Sequence, residues 1–432
     1  MGFTSIIDLY EIYKSHSTIV KDTRKIKNGC IFWALKGEKF DANEFAEQAV
    51  DSGASYAVID NAKFKKDNRY ILVENTLLAL QNLARHHRAK QKIPIIGITG
   101  SNGKTTTKEL IHSVLKEKFQ TYATLGNYNN HIGVPLSILQ INNSHEIAII
   151  EMGANAKKEI EFLCSISDPN FGMITNIGKA HLEGFGGIEG VKKGKSELYR
   201  HLENKGSTIF INEDDEVLKS LVRSKNLISY GTSERSFCRG KLSQTHPNIR
   251  GTWETKNQNG VIDSQLYGEY NFYNMLAAIC IGNYFKLNSN EIDNGLNNYK
   301  STNNRSELLK HREAKIYLDA YNANPSSMQY AVNNFSKNKG SKKMIILGDM
   351  FEVGEESSHE HKSLIEFTQT LVFSQRVFVG NHFYEHKDLA CNNDLFFNST
   401  EKAKEWFLKA KIENNEILIK GSRGMKLESL IQ

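Results

Sequence analysis

The stretch Gly97-Ile-Thr-Gly-Ser-Asn-Gly-Lys-Thr-Thr-Thr-Lys-Glu109 limits what this chain can fold into more than any other segment. It follows the apolar run Ile93–Ile98, which predicts a buried strand, and it leads into Lys104–Lys118, which predicts a helix. A strand, a glycine turn and a helix start in succession form a phosphate cradle. Backbone N–H groups in the turn and at the helix N-terminus point at the ligand, and the helix dipole favours negative charge there. In such a loop Gly100, Ser101, Asn102, Gly103 and Thr106 surround the phosphates. Lys104 reaches the terminal phosphates and the Thr105 hydroxyl ligates Mg²⁺. The loop departs from the strict G-x-x-x-x-G-K-[ST] spacing, because Ile98 stands at the first glycine position and Gly97 falls one residue early.

At 432 residues, two to four domains are expected. Hydrophobic residues make up 39% and charged residues 24%, a balance that fits a globular chain. No apolar run approaches the roughly 20 residues of a membrane span. The segment Met1–Tyr10 carries Asp8 and lacks a basic start followed by an apolar core, so it does not read as a signal peptide. The five cysteines are scattered without C-x-x-C spacing, which predicts a reduced, cytoplasmic protein without structural zinc. The net charge of +6 is spread along the chain, a pattern of solvated faces rather than a nucleic-acid footprint, and it suits anionic small substrates.

The hydropathy pattern predicts an α/β protein of three domains. Residues 1–92 form a small mixed α/β N-terminal domain, with strands such as Tyr56–Asp60 and Tyr70–Val73 and a helix over Asn75–Lys90. Residues 93–299 form a central P-loop ATPase domain with a parallel sheet. Its strands are Ile93–Ile98, Glu146–Met152, Phe171–Thr175 and Thr208–Asn212, which places chemistry at the strand C-terminal ends. The polar segment 231–267 reads as antiparallel strands and loops, and Asn271–Phe285 as an apolar helix. A polar linker, Asn297–Asn304, leads to residues 300–432, a doubly wound Rossmann-like domain with strands Lys315–Ala320, Lys343–Leu347, Arg376–Val379 and Glu416–Lys420.

Several motifs fall where these strands end. Glu151-Met-Gly-Ala154 offers a carboxylate for Mg²⁺ opposite Thr105, or a strand-end acid bonded to a turn. His181, within Thr175-Asn-Ile-Gly-Lys-Ala-His181, reads as a metal ligand, a substrate-positioning group or a structural histidine. Lys192-Lys-Gly-Lys195-Ser-Glu197 lies on a predicted helix, Ile188–Glu203. It is either a solvated basic face or the site of a lysine carbamylated by CO₂, which turns an ammonium into a carboxylate-like metal ligand. The asparagines of Gly126-Asn-Tyr-Asn-Asn130-His-Ile-Gly-Val-Pro135 are turn formers or donors to a charged intermediate. Asn303-Asn-Arg305-Ser306 and Asp319-Ala-Tyr-Asn322-Ala-Asn324-Pro325 suit a nucleotide, with Arg305 on phosphate and Asp319 on ribose. Lys420-Gly-Ser422-Arg423-Gly424 is a glycine turn with two cations, suited to a carboxylate.

Taken together these motifs, from Asp22-Thr-Arg24 to Arg423, resemble the Mur ligases, ATP-dependent amide-forming enzymes of peptidoglycan synthesis. The resemblance implies that Glu151, His181 and Lys195 are metal-site residues, with Lys195 carbamylated. It puts Asn271 against the adenine, Arg305 on the γ-phosphate, Asp319 on the ribose, and ATP and Mg²⁺ in the central domain. Lys104, Lys195, His181, Asn130 and Arg305 are the implied catalytic set. The segment Asp22–Asp41 resembles the family's uridine-nucleotide domain and brings Thr23, Arg24, Lys36 and Gly37 to that substrate. Asp319–Pro325, Leu347-Gly-Asp-Met350 and Lys420–Arg423 look most like the branch that joins D-Ala-D-Ala to a UDP-N-acetylmuramoyl-tripeptide. Asn322, Asn324, Lys420, Ser422 and Arg423 then serve the dipeptide, and a monomer is expected. A sister ligase that adds a diamino acid, and a folylpolyglutamate synthase-like enzyme, are the alternatives. Two positions depart from the family pattern: Tyr270 stands where a histidine often precedes the adenine asparagine, and Ala156-Lys-Lys158 replaces His-x-Gly.

Overall fold

The computed structural model describes residues 2–301, 305–340, 342–391 and 393–432. Asn303 and Asn304 of the junction motif, with part of the predicted linker, lie outside the described residues. The chain divides into two compact units. One comprises the residues up to Ile98 with Phe119–Ala154 and Lys158–Gly172, and the other Thr99–Lys118, Asn155–Lys157 and Met173–Gln432.

In the first unit, four parallel strands run in the order Ile19–Val20, Ile31–Trp33, Tyr56–Ile59, Tyr70–Leu72. Phe32, Ala57, Ile59 and Leu72 bury one face of this sheet against Ala42, Ala46 and Val50. The predicted helix appears as Thr76–Lys90, with Asn75 as its cap: the Asn75 side-chain oxygen accepts from the Leu78 N–H at 2.8 Å. The same unit holds strand Ile95–Thr99 up to Ile98 and its parallel neighbour Ile147–Glu151, with Thr121–Ala123 on the far side of the latter. Every residue of the first two is buried, as expected of parallel strands covered on both faces.

In the second unit the strands Thr208–Asn212, Leu227–Gly231 and Cys238–Gln244 pair in parallel. Arg250–Glu254 and Asn259–Asp263 then add antiparallel strands, so the polar 231–267 segment extends a sheet as expected. Helix Tyr270–Tyr284, apolar along most of its length, packs against helix Lys104–Leu115. One predicted element differs. The single helix expected over Ile188–Glu203 is two, Ile188–Lys195 and Glu197–Asn204, divided at Ser196. The Ser196 hydroxyl and the Arg200 guanidinium both donate to the Lys193 carbonyl, at 3.1 and 2.9 Å, and compete with the helical ladder.

The third block carries a six-stranded sheet in the order Glu307–His311, Ala314–Asp319, Glu416–Lys420, Lys343–Gly348, Gln375–Val379, Asp394–Phe397. The first strand is antiparallel to its neighbour and the rest are parallel. Two of these strands go beyond the sequence expectation. Glu307–His311 is an edge strand with its central residues exposed, and Asp394–Phe397 is only four residues long and half-buried throughout. Register puts Asp319 directly beside Lys420.

Candidate active site

The phosphate loop forms as its glycines require. Gly103 caps helix Lys104–Leu115 at φ 78°, in the left-handed region. Gly100 sits at φ 144°, where a Cβ would lie 2.0 Å from the Thr175 hydroxyl. The loop is held from one side by the segment after strand Phe171–Ile174. Thr175 Oγ1 and Asn176 Nδ2 donate to the Asn102 carbonyl at 2.6 and 3.0 Å, and Asn102 N–H donates to Asn176 Oδ1 at 3.1 Å. Ser101 and Gly178 exchange hydrogen bonds at 3.0 and 2.9 Å. From the other side, Asn324 Nδ2 donates to Asn102 Oδ1 at 2.7 Å, while Asn324 Oδ1 caps helix Pro325–Ser336. Lys104 Nζ curls over the loop and donates to the carbonyls of Gly100 and Ser101, at 2.8 and 3.1 Å. Thr105 and Thr106 lie buried in the first helical turn. Asn271, fully buried, accepts from Asn274, whose side-chain amide lies 3.0 Å from where a Gly103 Cβ would stand. The asparagine expected at the adenine is thereby linked, through Asn274, to the glycine at the end of the loop. Tyr270, where the pattern often has histidine, is half-buried and hydrogen-bonds Ser306 Oγ at 3.0 Å, beside Arg305.

The Gly-rich segment continues to His181, held at φ 52°. Its Nδ1 makes an ion-pair contact with Glu352, which is itself at φ 61° on the loop after strand Lys343–Gly348. The His181 contact pulls the Glu352 carboxyl below its ordinary range. Two non-glycine residues in the left-handed region, meeting side chain to side chain, mark a place where the surroundings impose the backbone. Glu352 was not singled out from the sequence; its only signal was its place just after Leu347-Gly-Asp-Met350. Lys179, two residues before His181, pairs with buried Glu360 at 2.5 Å. Lys195 is fully buried, its ammonium 5.1 Å from the Phe185 ring centre.

In the third block, the Arg305 guanidinium stacks on Tyr321 at 3.5 Å from the ring centre. Asp319 is paired with Lys420 at 2.6 Å, and the Lys420 side chain is only 3% exposed. Arg423 pairs with Glu428 at 2.8 Å. Ser422 Oγ accepts from the Phe351 N–H at 2.9 Å and fastens the loop that carries Glu352. The Asn322 carbonyl accepts from Lys420 at 3.3 Å.

The Asp319–Lys420 pair shapes a test of the ribose assignment. Asp319→Ala leaves a buried ammonium without its carboxylate, a loss on the order of 3 kcal/mol, visible as a fall in Tm. Asp319→Asn keeps an acceptor beside Lys420, so it is expected to raise the KM for ATP while the fold survives. Arg305→Ala, by contrast, is expected to lower kcat. An ATP KM unchanged in Asp319→Asn removes the ribose role.

In the first unit Glu151, 1% exposed, accepts from Asn129 Nδ2 at 2.8 Å. The neighbouring Asn130 serves its own turn instead. Its side-chain oxygen accepts from Ile132 and Gly133 N–H at 3.1 and 2.8 Å and starts helix Gly133–Leu139. Among the uridine-side residues, Arg24 is exposed and forms a fork with Asp22, at 2.9 and 2.8 Å. Thr23 begins the short turn that Asp22 caps. Lys36, on the hairpin with Gly37, is half exposed and reaches buried Asp60 at 2.9 Å. Asp60, which carries no motif of its own in the sequence, also gathers Asn43 and Thr76, so it orients Lys36.

Taken one by one, the Thr105 hydroxyl and the Glu151 carboxylate are oxygen donors of the kind Mg²⁺ takes, and the His181 ring offers a nitrogen. Among the described residues, no group of three or more His, Cys, Asp or Glu side chains is arranged as a metal site.

A glycine-built phosphate loop on a parallel sheet, in a chain whose doubly wound block carries Arg305 and Asp319, defines a nucleotide-using α/β enzyme. Residues 98–282 match the Mur ligase middle domain, and residues 304–423 match the Mur ligase, glutamate ligase domain. The chain belongs to the Mur ligase family, whose members form amide bonds at the expense of ATP. It is 36% identical to the UDP-N-acetylmuramoyl-tripeptide--D-alanyl-D-alanine ligase of Bacillus subtilis, covering 96% of this chain and 92% of that protein. Among solved structures it is similar to MurF from Acinetobacter baumannii, with TM-score 0.87, 28% identity, and 99% and 97% of the two chains covered. It is also similar to MurF ligase from Thermotoga maritima in complex with ADP, with TM-score 0.83, 26% identity and 96% of each chain covered.

Proposed function

We propose that this chain joins D-alanyl-D-alanine to a UDP-N-acetylmuramoyl-tripeptide in peptidoglycan synthesis, acting in the cytoplasm as a monomer. The observation that carries the reading is the phosphate loop with Lys104 folded over it, in a chain more than 30% identical along almost its whole length to ligases of that name. Those relatives weigh against the diamino-acid and folate alternatives. Residues 1–92 hold the uridine end through Thr23, Arg24, Lys36 and Gly37; residues 93–299 hold ATP; residues 300–432 hold the acceptor and close over the nucleotide.

In the reaction, the terminal carboxylate of the tripeptide attacks the γ-phosphorus of ATP, and ADP leaves. The dipeptide amine then attacks the acyl-phosphate carbonyl, loses its proton, and phosphate departs from the tetrahedral carbon. Two anions meet in the first step, so the site must above all cancel charge. Lys104 and Arg305 bring positive charge to the γ-phosphate, and Gly100–Thr106 supply backbone and hydroxyl donors. Asn271 packs at the base, Asp319 holds the ribose, and Asn130 assists the charged intermediate from its turn. Thr105, Glu151, His181 and a carbamylated Lys195 would hold Mg²⁺, which when bound neutralises phosphate charge. Asn322, Asn324, Lys420, Ser422 and Arg423 frame the acceptor side. Closure of the third block excludes the water that would hydrolyse the acyl phosphate.

The test is phosphate release by the purified protein with UDP-tripeptides and a panel of amines. Release is expected to require both the UDP-tripeptide and D-Ala-D-Ala, with free D-alanine, lysine and diaminopimelate poor acceptors. Efficient use of a single diamino acid with D-Ala-D-Ala inert overturns the reading.

A further inference from the structure

Tyr270, one of the two departures from the family pattern, stands immediately before Asn271 at the start of helix Tyr270–Tyr284. Its ring folds back over Gly268: a Cβ on that glycine, at φ 92°, would lie 2.5 Å from the ring. That posture brings the hydroxyl to Ser306 Oγ, at 3.0 Å and 36 residues further along the chain. Desolvation, then the nearby Asp319 carboxylate, hold the phenol above its ordinary range, so it stays a neutral hydrogen-bonding group.

Ser306 is buried at φ 52°, a left-handed backbone that a non-glycine residue keeps only where its surroundings impose it. Here the chain turns from Arg305 into edge strand Glu307–His311. Arg305 is thereby gripped in three ways. Ser301 Oγ donates to its carbonyl, Tyr270 holds the next residue, and the guanidinium stacks on Tyr321 at 3.5 Å from the ring centre. The same helical turn also reaches the phosphate loop. Asn274 Nδ2 donates to Asn271 Oδ1 at 2.9 Å, and the Asn274 side chain lies 3.0 Å from where a Gly103 Cβ would stand. One turn thus touches the last glycine of the loop and, through Ser306, fixes the residue after Arg305. Both take a single rigid element as their reference, and that sets the spacing between the loop and a cation meant for the γ-phosphate. A histidine at position 270 is the shorter side chain and does not reach as far as the tyrosine hydroxyl.

We propose that Tyr270 is a positioning residue for Arg305, its hydroxyl fixing Ser306 and with it the placement of the guanidinium relative to the phosphate loop. The inference rests on the proposed γ-phosphate role of Arg305 and names what delivers that charge.

Steady-state kinetics of the full-length protein test it, with Tyr270→Phe, Ser306→Gly and Arg305→Ala alone, and Tyr270→Phe paired with each of the other two. The assays use whichever amine the acceptor panel shows to be a substrate, so a wrong acceptor overturns the proposed function without touching this inference. Phenylalanine keeps the ring over Gly268 and glycine accepts φ 52°, so both variants are expected to fold, which thermal denaturation checks. Tyr270→Phe is expected to lower kcat by about 10-fold, the worth of one hydrogen bond, with the KM for ATP unchanged. Ser306→Gly gives a similar fall, and the pair falls no further than Ser306→Gly alone. Beside Arg305→Ala the phenylalanine adds no loss, because the residue it positions is gone; a hydroxyl that only stabilised the fold would add its loss in full. An unchanged kcat in Tyr270→Phe overturns the assignment. So does a loss that persists in full beside Arg305→Ala, or one carried by the KM for ATP, which marks direct contact with the nucleotide. A wild-type kcat in Arg305→Ala overturns the γ-phosphate role and this inference together.

Discussion

Lys104→Ala is expected to abolish ligation while the protein keeps its fold and its Tm. The ammonium lies over the phosphate loop with its hydrogen bonds to the Gly100 and Ser101 carbonyls. Those carbonyls belong to a loop fixed independently by Thr175, Asn176 and Asn324, so removing the side chain leaves the backbone scaffold in place. What is lost is the charge that meets the developing negative charge on the γ-phosphoryl group. In a site closed to water such a loss lowers the rate by on the order of 10²-fold or more. Phosphate release at saturating substrates, with thermal denaturation on the same samples, measures both parts. Near-normal turnover removes the phosphate-loop role.

Lys195→Ala is expected to be almost as damaging, and through different chemistry. The side chain is fully buried at the end of helix Ile188–Lys195, where the chain breaks before Glu197. With a carbamate at this position, alanine removes an oxygen ligand from the Mg²⁺ site, and activity falls by about 10²-fold or more. Short carboxylates added to the variant are expected to restore part of it. ¹³C-NMR of protein equilibrated with ¹³CO₂, Mg²⁺ and nucleotide reads the carbamate directly. Absence of a carbamate resonance, or no rescue by any carboxylate, sinks this role.

The parts of this fold that could be read from the sequence are those with one strong local cause. Thr208–Asn212 and Glu416–Lys420 stand out because parallel central strands are apolar without interruption. Asn75 marks a helix start by a side chain that replaces a missing backbone acceptor. Edge strand Glu307–His311 was hidden, because exposure of its middle residues erases the alternation that identifies a strand. The break at Ser196 depends on Arg200 reaching back to the Lys193 carbonyl, a choice among hydrogen bonds that hydropathy does not register. The candidate site divides along the same line. Lys104 is tied to a contiguous motif. Glu352 reaching His181, Asp60 reaching Lys36, and Asn129 rather than Asn130 on Glu151 are meetings of segments far apart in sequence or one residue apart in a turn. Neither composition nor periodicity carries such information.

The strand order of the third block also has a consequence for how the protein is made. Glu416–Lys420 is the last of the six strands to be synthesised, yet it lies between Ala314–Asp319 and Lys343–Gly348 and pairs with both. Without it, Ala314–Asp319 and Lys343–Gly348 each lack a strand partner on one side, and Asp319 lacks Lys420. The sheet cannot be completed before residue 420 is available, and its closing contact joins residues 101 apart in sequence. Truncation even slightly upstream of that strand removes the centre of the sheet rather than an edge, so quality-control proteases meet a divided block instead of a shortened one.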